Sequence, residues 1–206
     1  MEAIGAYLHH SPLLVVLSGP SGAGKDAVIA RMKEMGRPYF FGVTATTRAK
    51  RANEIDGVHY TFISKDRFES MLVTGEFIEH AHVYGNFYGV PKHQIRQALA
   101  NGEDVLLKID VQGAATIKSL VPQAVFIFLA APNLNELEKR LRSRNSESVT
   151  DIELRLKTAE KEMLQLPIFN YVVINEDDQI DKCVSEIDAI ISAEKCRIPR
   201  RIIELP

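Results

Sequence analysis

Residues 19–25, GPSGAGK, fit the pattern G-x-x-x-x-G-K. Closely spaced glycines let successive backbone N–H groups converge on one anion, and a lysine placed just after them reaches the outer oxygens of a polyphosphate. The chemistry needs a strand before the loop and a helix after it, because the helix N-terminus adds partial positive charge. Both are predicted here: LLVVLS at 13–18 is a short apolar run suited to a buried parallel strand, and a helix follows from about Lys25 to Met35 with Val28, Ile29 and Met32 on one face. Gly19, Pro20, Ser21, Gly22, Ala23, Gly24, Lys25 and Asp26 are therefore expected to bind a nucleoside triphosphate. Asp26 is the anomaly, a carboxylate at the mouth of a loop built for anions.

Other residues could grip phosphate. Arg48 and Arg51, in TTRAKR, are three apart and able to converge on one phosphate, although such a pair is equally read as two solvated loop charges. Arg140 and Arg144 share a helical face, and Arg155 lies on the next helix. These three are either members of a salt-bridged charged helix pair or arginines that swing over a triphosphate, neutralise the migrating group and exclude water. Arg142 points elsewhere on its helix. His80 and His82 alternate on one strand face but lack a third metal ligand; His9, His10, His59 and His93 have no assigned role.

The elements that must position these residues alternate. Strands are expected at 105–110 (VLLKID), 124–130 (AVFIFLA) and 171–175 (YVVIN), helices at 91–101, across 133–165 as a pair, and at 178–195. This is the signature of an α/β chain with a parallel sheet flanked by helices and joined by right-handed crossovers. From residue 39 the character changes to glycines, aromatics and short alternating runs (VHYTFI, EFIEHAHVYGNFYGV), which predicts a small strand-rich lobe. The basic RIPRR near the end reads as a solvated tail.

Bulk composition fits a single core with appended lobes: 206 residues, 46% hydrophobic, 25% charged, and a formal net charge of -2. That balance supplies no electrostatic drive toward nucleic acid or anionic membrane. The first twelve residues lack a basic lead-in, and the apolar run after them is too short to span a bilayer. Cys183 and Cys196 lack metal-ligand spacing and are expected to be reduced thiols in a cytoplasm.

Taken together, SGPSGAGK, TTRAKR, GEFIE, GNFYG, IDVQGA, RLRSR and VIN, in this order across about residues 13–177, resemble guanylate kinase. The resemblance implies a P-loop NTPase core (11–42, 91–134 and 162–196), a GMP-binding lobe (43–90), a helical lid (135–161) and a basic tail (197–206). It implies phosphoryl transfer from ATP to GMP, and to dGMP, with Mg²⁺ bound mainly through ATP and with small nucleotides as the partners. Arg48, Arg51, Tyr60 and Tyr88 would hold the GMP phosphate. Glu79 would accept the guanine N1–H and amino group, with Thr44 and Asp110 nearby, and Asn175 would lie near adenine. Lys25, Arg48, Arg140, Arg144 and Arg155 would act in catalysis. No general base is required, because the attacking phosphate oxygen is already anionic.

Three positions depart from the family pattern. Asp26 stands where a hydroxyl residue normally ligates Mg²⁺, Lys108 where an acid is usual, and Val90 where a hydroxyl residue lies near guanine. Two readings of the first pair are open: a charge swap with Asp26 and Lys108 in contact, or an Asp26 that simply favours a helix N-terminus. Asp26 is also the one candidate protein ligand for a metal. The rival function is a guanylate-kinase-like binding module of weak catalytic power.

Overall fold

The computed structural model describes residues 10–83, 85–142 and 149–206. Five parallel strands form the core sheet: β1 (Leu14–Ser18), β2 (Tyr39–Phe41), β7 (Asp104–Lys108), β8 (Val125–Ala130) and β9 (Tyr171–Ile174), in the order β2-β7-β1-β8-β9. The central strands are apolar through their middles because both faces are covered, with polar residues only at their ends (Ser18 of β1, Asp104 and Lys108 of β7), and alternate side chains serve opposite layers. Val15, Leu17, Leu106, Ile127 and Leu129 pack with Val28 and Met32 of helix α1 (Lys25–Glu34) and with Val184, Ile187 and Ile191 of the last helix, Ile180–Lys195. Leu14, Val16, Val105, Leu107 and Phe126 face Ile95 and Ala98 of the helix Lys92–Ala100 and Ala114 and Ile117 of the helix Val111–Leu120.

The second sheet is small. Strands β3 (Ala45–Thr46), β4 (Thr61–Phe62), β5 (Phe77–Val83) and β6 (Asn86–Pro91) run in the order β4-β3-β6-β5. Helix α2 (Lys65–Val73), capped by Ser64, covers it through Phe68, whose ring stacks on Phe77 at 4.5 Å and on Phe87 at 5.4 Å. The remaining helices are α3 (Lys92–Ala100), α4 (Val111–Leu120), α5 (Leu134–Arg142), α6 (Val149–Met163) and α7 (Ile180–Lys195).

Three differences from the sequence reading have physical causes. Tyr39–Phe41 pairs with β7 as the edge of the core sheet. Two helices, α2 and α4, occupy segments from which no helix was predicted. The basic tail is only partly solvated: Arg197, Ile198 and Pro199 are exposed, but Arg201 is 6% exposed and pairs with Glu194 at 2.7 and 2.8 Å, while Ile203 and Leu205 pack on the core. A buried arginine is tolerable there because it also donates to the carbonyls of Gln123 and Ala124.

Candidate active site

Every candidate residue of the core lies at the C-terminal ends of its parallel strands, where open α/β sheets bind ligands. The loop Gly19–Gly24 joins β1 to α1. Gly24 caps the helix at φ +95°, and a Cβ there would stand 2.2 Å from the Asn175 amide nitrogen, so only glycine fits. That same amide donates to the Ala23 carbonyl at 2.9 Å. Asn175 is thus buried beneath the loop and bonded to its backbone.

The Lys25 ammonium folds back on its own loop, donating to the carbonyls of Gly19 (2.5 Å) and Pro20 (3.0 Å). Burial pulls its pKa down to about 8, against the attraction of Glu162 and Asp26. Glu162, near the end of α6, carries one buried carboxylate oxygen without a partner, and burial raises its pKa while Lys25 opposes the rise. The same helix reaches the loop again through Arg155, which donates to the Ser21 hydroxyl at 3.1 Å. Arg140 is turned toward the Asn175 carbonyl (2.8 Å) and Asp177 (2.5 Å). Arg144 lies outside the described residues.

Asp26 and Lys108 are in direct contact, Lys108 Nζ donating to Asp26 Oδ1, as the charge-swap reading requires. Burial works against the ammonium, yet Asp26 and Tyr60 hold its pKa above the ordinary lysine value. Asp110 does not continue strand β7; it caps α4 by accepting from Gly113 N at 2.8 Å. From there its charge acts on Lys25, Glu79 and Glu162.

Across the cleft the lobe presents Glu79 on β5, 4% exposed, with Oε2 unpartnered. Desolvation first and Asp110 second push its pKa up to about 8. It packs over Gly113, where an added Cβ would come within 2.6 Å of Oε2. Val90 sits directly opposite Glu79 in the β5–β6 register and is fully buried, so the neighbour that could have offered a hydroxyl offers methyl groups. Thr44 is buried just before β3, and Gln94 clamps the preceding residue through both Val43 N (2.9 Å) and Val43 O (2.7 Å).

Nearer the solvent, Arg48 forms a two-pronged pair with Glu54 at 2.6 and 3.0 Å, and its guanidinium lies 5.3 Å from the Tyr60 ring centre. Tyr88 stands 6.1 Å from Tyr60, ring to ring. Arg51 is exposed, its backbone N–H donating to Glu54 at 2.8 Å. Thus the loop, Asp26, Lys108, Asp110 and Tyr60 meet, with Arg48 and Tyr88 beside them, while Arg51 extends outward.

Glu54, Gln94, Gly113 and Glu162 are site residues that the sequence reading did not single out. IDVQGA contained Gly113, and a glycine in a helix marks a close approach; Glu54 follows Arg51 at a turn spacing. Glu162 has no signal distinguishing it from the charged face of α6. No group of three or more metal-ligating side chains occurs among the described residues, and no described helix is long and apolar enough to cross a membrane.

Comparison with known proteins gives a consistent answer. Residues 11–194 match the protein family described as Guanylate kinase. Guanylate kinase of Carboxydothermus hydrogenoformans is 42% identical over 193 residues, covering 94% of this chain and 93% of the relative. That of Clostridioides difficile is 44% identical over 188 residues, covering 91% of each chain. Among solved structures, the guanylate kinase of Anaplasma phagocytophilum aligns with a TM-score of 0.77 at 31% identity, over 94% of this chain and 92% of that one. With a family match over residues 11–194 and relatives at 42% and 44% identity over nine-tenths of its length, this chain belongs to the guanylate kinase family.

Proposed function

We infer that this chain transfers the γ-phosphoryl group of ATP to GMP, giving ADP and GDP. The observation that carries the reading is Glu79: a buried carboxylate, one oxygen without a partner, facing the same cleft as the phosphate loop. In its ionised form it is satisfied by a ligand bringing donors, and guanine presents two on one edge, N1–H and the amino group. A base lacking that edge would leave buried polar groups unpaired.

An oxygen of the GMP phosphate forms a bond to the γ-phosphorus as the bond from that phosphorus to the β–γ bridging oxygen breaks, and ADP carries away the electron pair. The protein aligns the groups and supplies charge. Lys25 exchanges the Gly19 and Pro20 carbonyls for phosphate oxygens. Arg48, Arg51, Tyr60 and Tyr88 hold the acceptor phosphate, with Thr44 and Asp110 near the guanine. Arg140 and Arg155 approach the triphosphate from the lid helices and, with Arg144 as the third arginine of this set, withdraw it from water. Asn175 serves ATP indirectly, by fixing the loop backbone. Mg²⁺, a hard cation that keeps phosphate oxygens as its main ligands, fits a site with a single exposed carboxylate at the loop mouth. Asp26, 70% exposed in its side chain, would be its protein contact. The ion neutralises charge on the transferring group when bound. With two unpaired cysteines, Cys183 buried and Cys196 exposed, a reducing cytoplasmic setting is the one we favour.

The test is ADP release coupled to a spectroscopic assay, with ATP, titrated Mg²⁺, and GMP, dGMP, AMP, CMP or UMP as acceptor. Turnover selective for the guanine nucleotides is expected. Equal turnover with AMP, or none at any Mg²⁺ concentration, would overturn the reading.

A further inference from the structure

We propose that Lys108 is a phosphate-binding cation of the acceptor site, held in position by Asp26. The inference rests on the placement of the GMP phosphate at Tyr60. Lys108 is the last residue of β7, and its side chain is 20% exposed. The ammonium contacts Asp26 on one side; on the other it lies 3.4 Å from the Tyr60 hydroxyl and 4.8 Å from the centre of the Tyr60 ring. Arg48 approaches the same ring, at 5.3 Å. Two cations therefore converge on one tyrosine, and the hydroxyl between strand and lobe marks where an anion would be shared.

An ammonium has three donors in rotatable directions. One is used on Asp26 and one points toward Tyr60, whose hydroxyl turns to donate when a phosphate oxygen arrives. A phosphate bound to that hydroxyl lies within reach of Lys108 without movement of the backbone. Asp26 does the positioning: it stands in the first turn of α1, so the pair ties the donor-side helix to the acceptor-side strand across the core. An acidic side chain at 108 would repel the acceptor phosphate, whereas lysine attracts it. Lys108 therefore brings a positive charge to the acceptor site that does not depend on a metal ion, while the pair as a whole stays neutral.

The two members of the pair make opposite predictions, which separates an electrostatic role from a structural one. GMP and guanosine affinities would be measured by calorimetry in EDTA, with thermal melting as the check on folding. Lys108→Met is expected to weaken GMP about tenfold while leaving guanosine unchanged, with Lys108→Arg restoring most of the loss. Asp26→Asn, whose amide oxygen can still accept from the Lys108 ammonium, is expected to leave GMP binding unweakened or to tighten it, because it removes a negative charge near the phosphate and keeps the contact, whereas Asp26→Ala, which removes the contact, should weaken GMP and not guanosine. Tyr60→Phe serves as the reference and should also weaken GMP against guanosine. If Tyr60→Phe weakens GMP and Lys108→Met does not, the proposal is wrong and the phosphate site stands. If both variants of the pair weaken GMP and guanosine alike, the pair is only structural and the proposal is again wrong. If Tyr60→Phe has no effect on GMP, the phosphate is placed incorrectly and the proposal falls with that placement.

Discussion

The two halves of the cleft grip anions by different means. On the ATP side the grip is backbone: a loop threaded between β1 and α1, propped from below by Asn175 and shaped by a glycine that no other residue could replace. On the side we assign to GMP it is side chains, Glu79 and Tyr88 on strands β5 and β6 and Arg48 and Tyr60 on the connections between short strands, with Arg48 already paired to Glu54. Backbone donors are fixed by the fold and lose little freedom on binding, whereas long side chains must be ordered or released from a resident partner. The ATP loop is thus preformed, and the GMP lobe is poised. Carboxylates stand near the cations on both sides in the free protein, with Glu162 by Lys25, Asp177 on Arg140, Glu54 on Arg48 and Asp26 on Lys108.

The contrast is broken most strongly at Lys25, the cationic side chain of the backbone-built half. Lys25→Met should lower kcat about 1,000-fold while leaving GMP affinity, measured without ATP, unchanged. A parallel loss of GMP binding would mean that the two halves are not separable.

Glu79→Gln is next. It should weaken GMP by about 10- to 100-fold and spare ATP. The pH dependence sharpens this. With a pKa of about 8, Glu79 is protonated in the free protein at neutral pH and cannot accept both guanine donors until it ionises. Guanosine affinity, which avoids titration of a phosphate, should therefore rise with pH up to about 8 and then level off, whereas Glu79→Gln should show a flat profile. Stability moves the other way. The folded carboxyl keeps its proton between the ordinary glutamate value of 4.5 and about 8 while the unfolded one has lost it, so raising the pH through that window destabilises the fold. Melting curves of the wild type and Glu79→Gln should diverge over that range, with the variant gaining.

The smallest effect belongs to Asn175→Ala. Leaving the Ala23 carbonyl without its donor costs about 1–3 kcal/mol, seen as a lower Tm and a weaker hold on ATP, with GMP affinity unchanged.

What was readable in advance follows the same division. Four of the five core strands carry apolar runs and the loop is a local motif, so these could be located from spacing alone, whereas the edge strand β2 reads as the start of the lobe. Helix α4 could not, since VQGAATIKSL combines a glycine with β-branched residues and owes its helicity to the Asp110 cap and to burial against the sheet. Helix α2 lay hidden inside a segment whose aromatics and glycines read as strands, although Ser64 is an ordinary cap. The docking of Arg201 on Glu194 was invisible, because a basic cluster looks the same whether solvated or buried. Residues within a motif could be singled out; most of their partners could not. Arg140 meets Asp177 across 37 positions, and no local pattern announces such a pair. The contact between Asp26 and Lys108, 82 residues apart, was found because two departures from one family pattern compensate each other in charge.

The opposite end of the sheet has a different character. There Asp104 accepts from Leu13 N at 2.9 Å and pairs with Lys195 at 2.5 Å, and Arg201 is bonded to Glu194 and to the carbonyls that open β8. Charges at that end are mutually satisfied and need no visitor. The molecule is thus clamped at one pole and open at the other, and its local unfolding free energies should be graded along the strand axis. Amide protons at the starts of β1, β7 and β8 should exchange only through global opening, while those of β3 and β4 should exchange through small local excursions. Such a gradient would let the nucleotide-binding pole deform repeatedly during turnover at no cost to the integrity of the core.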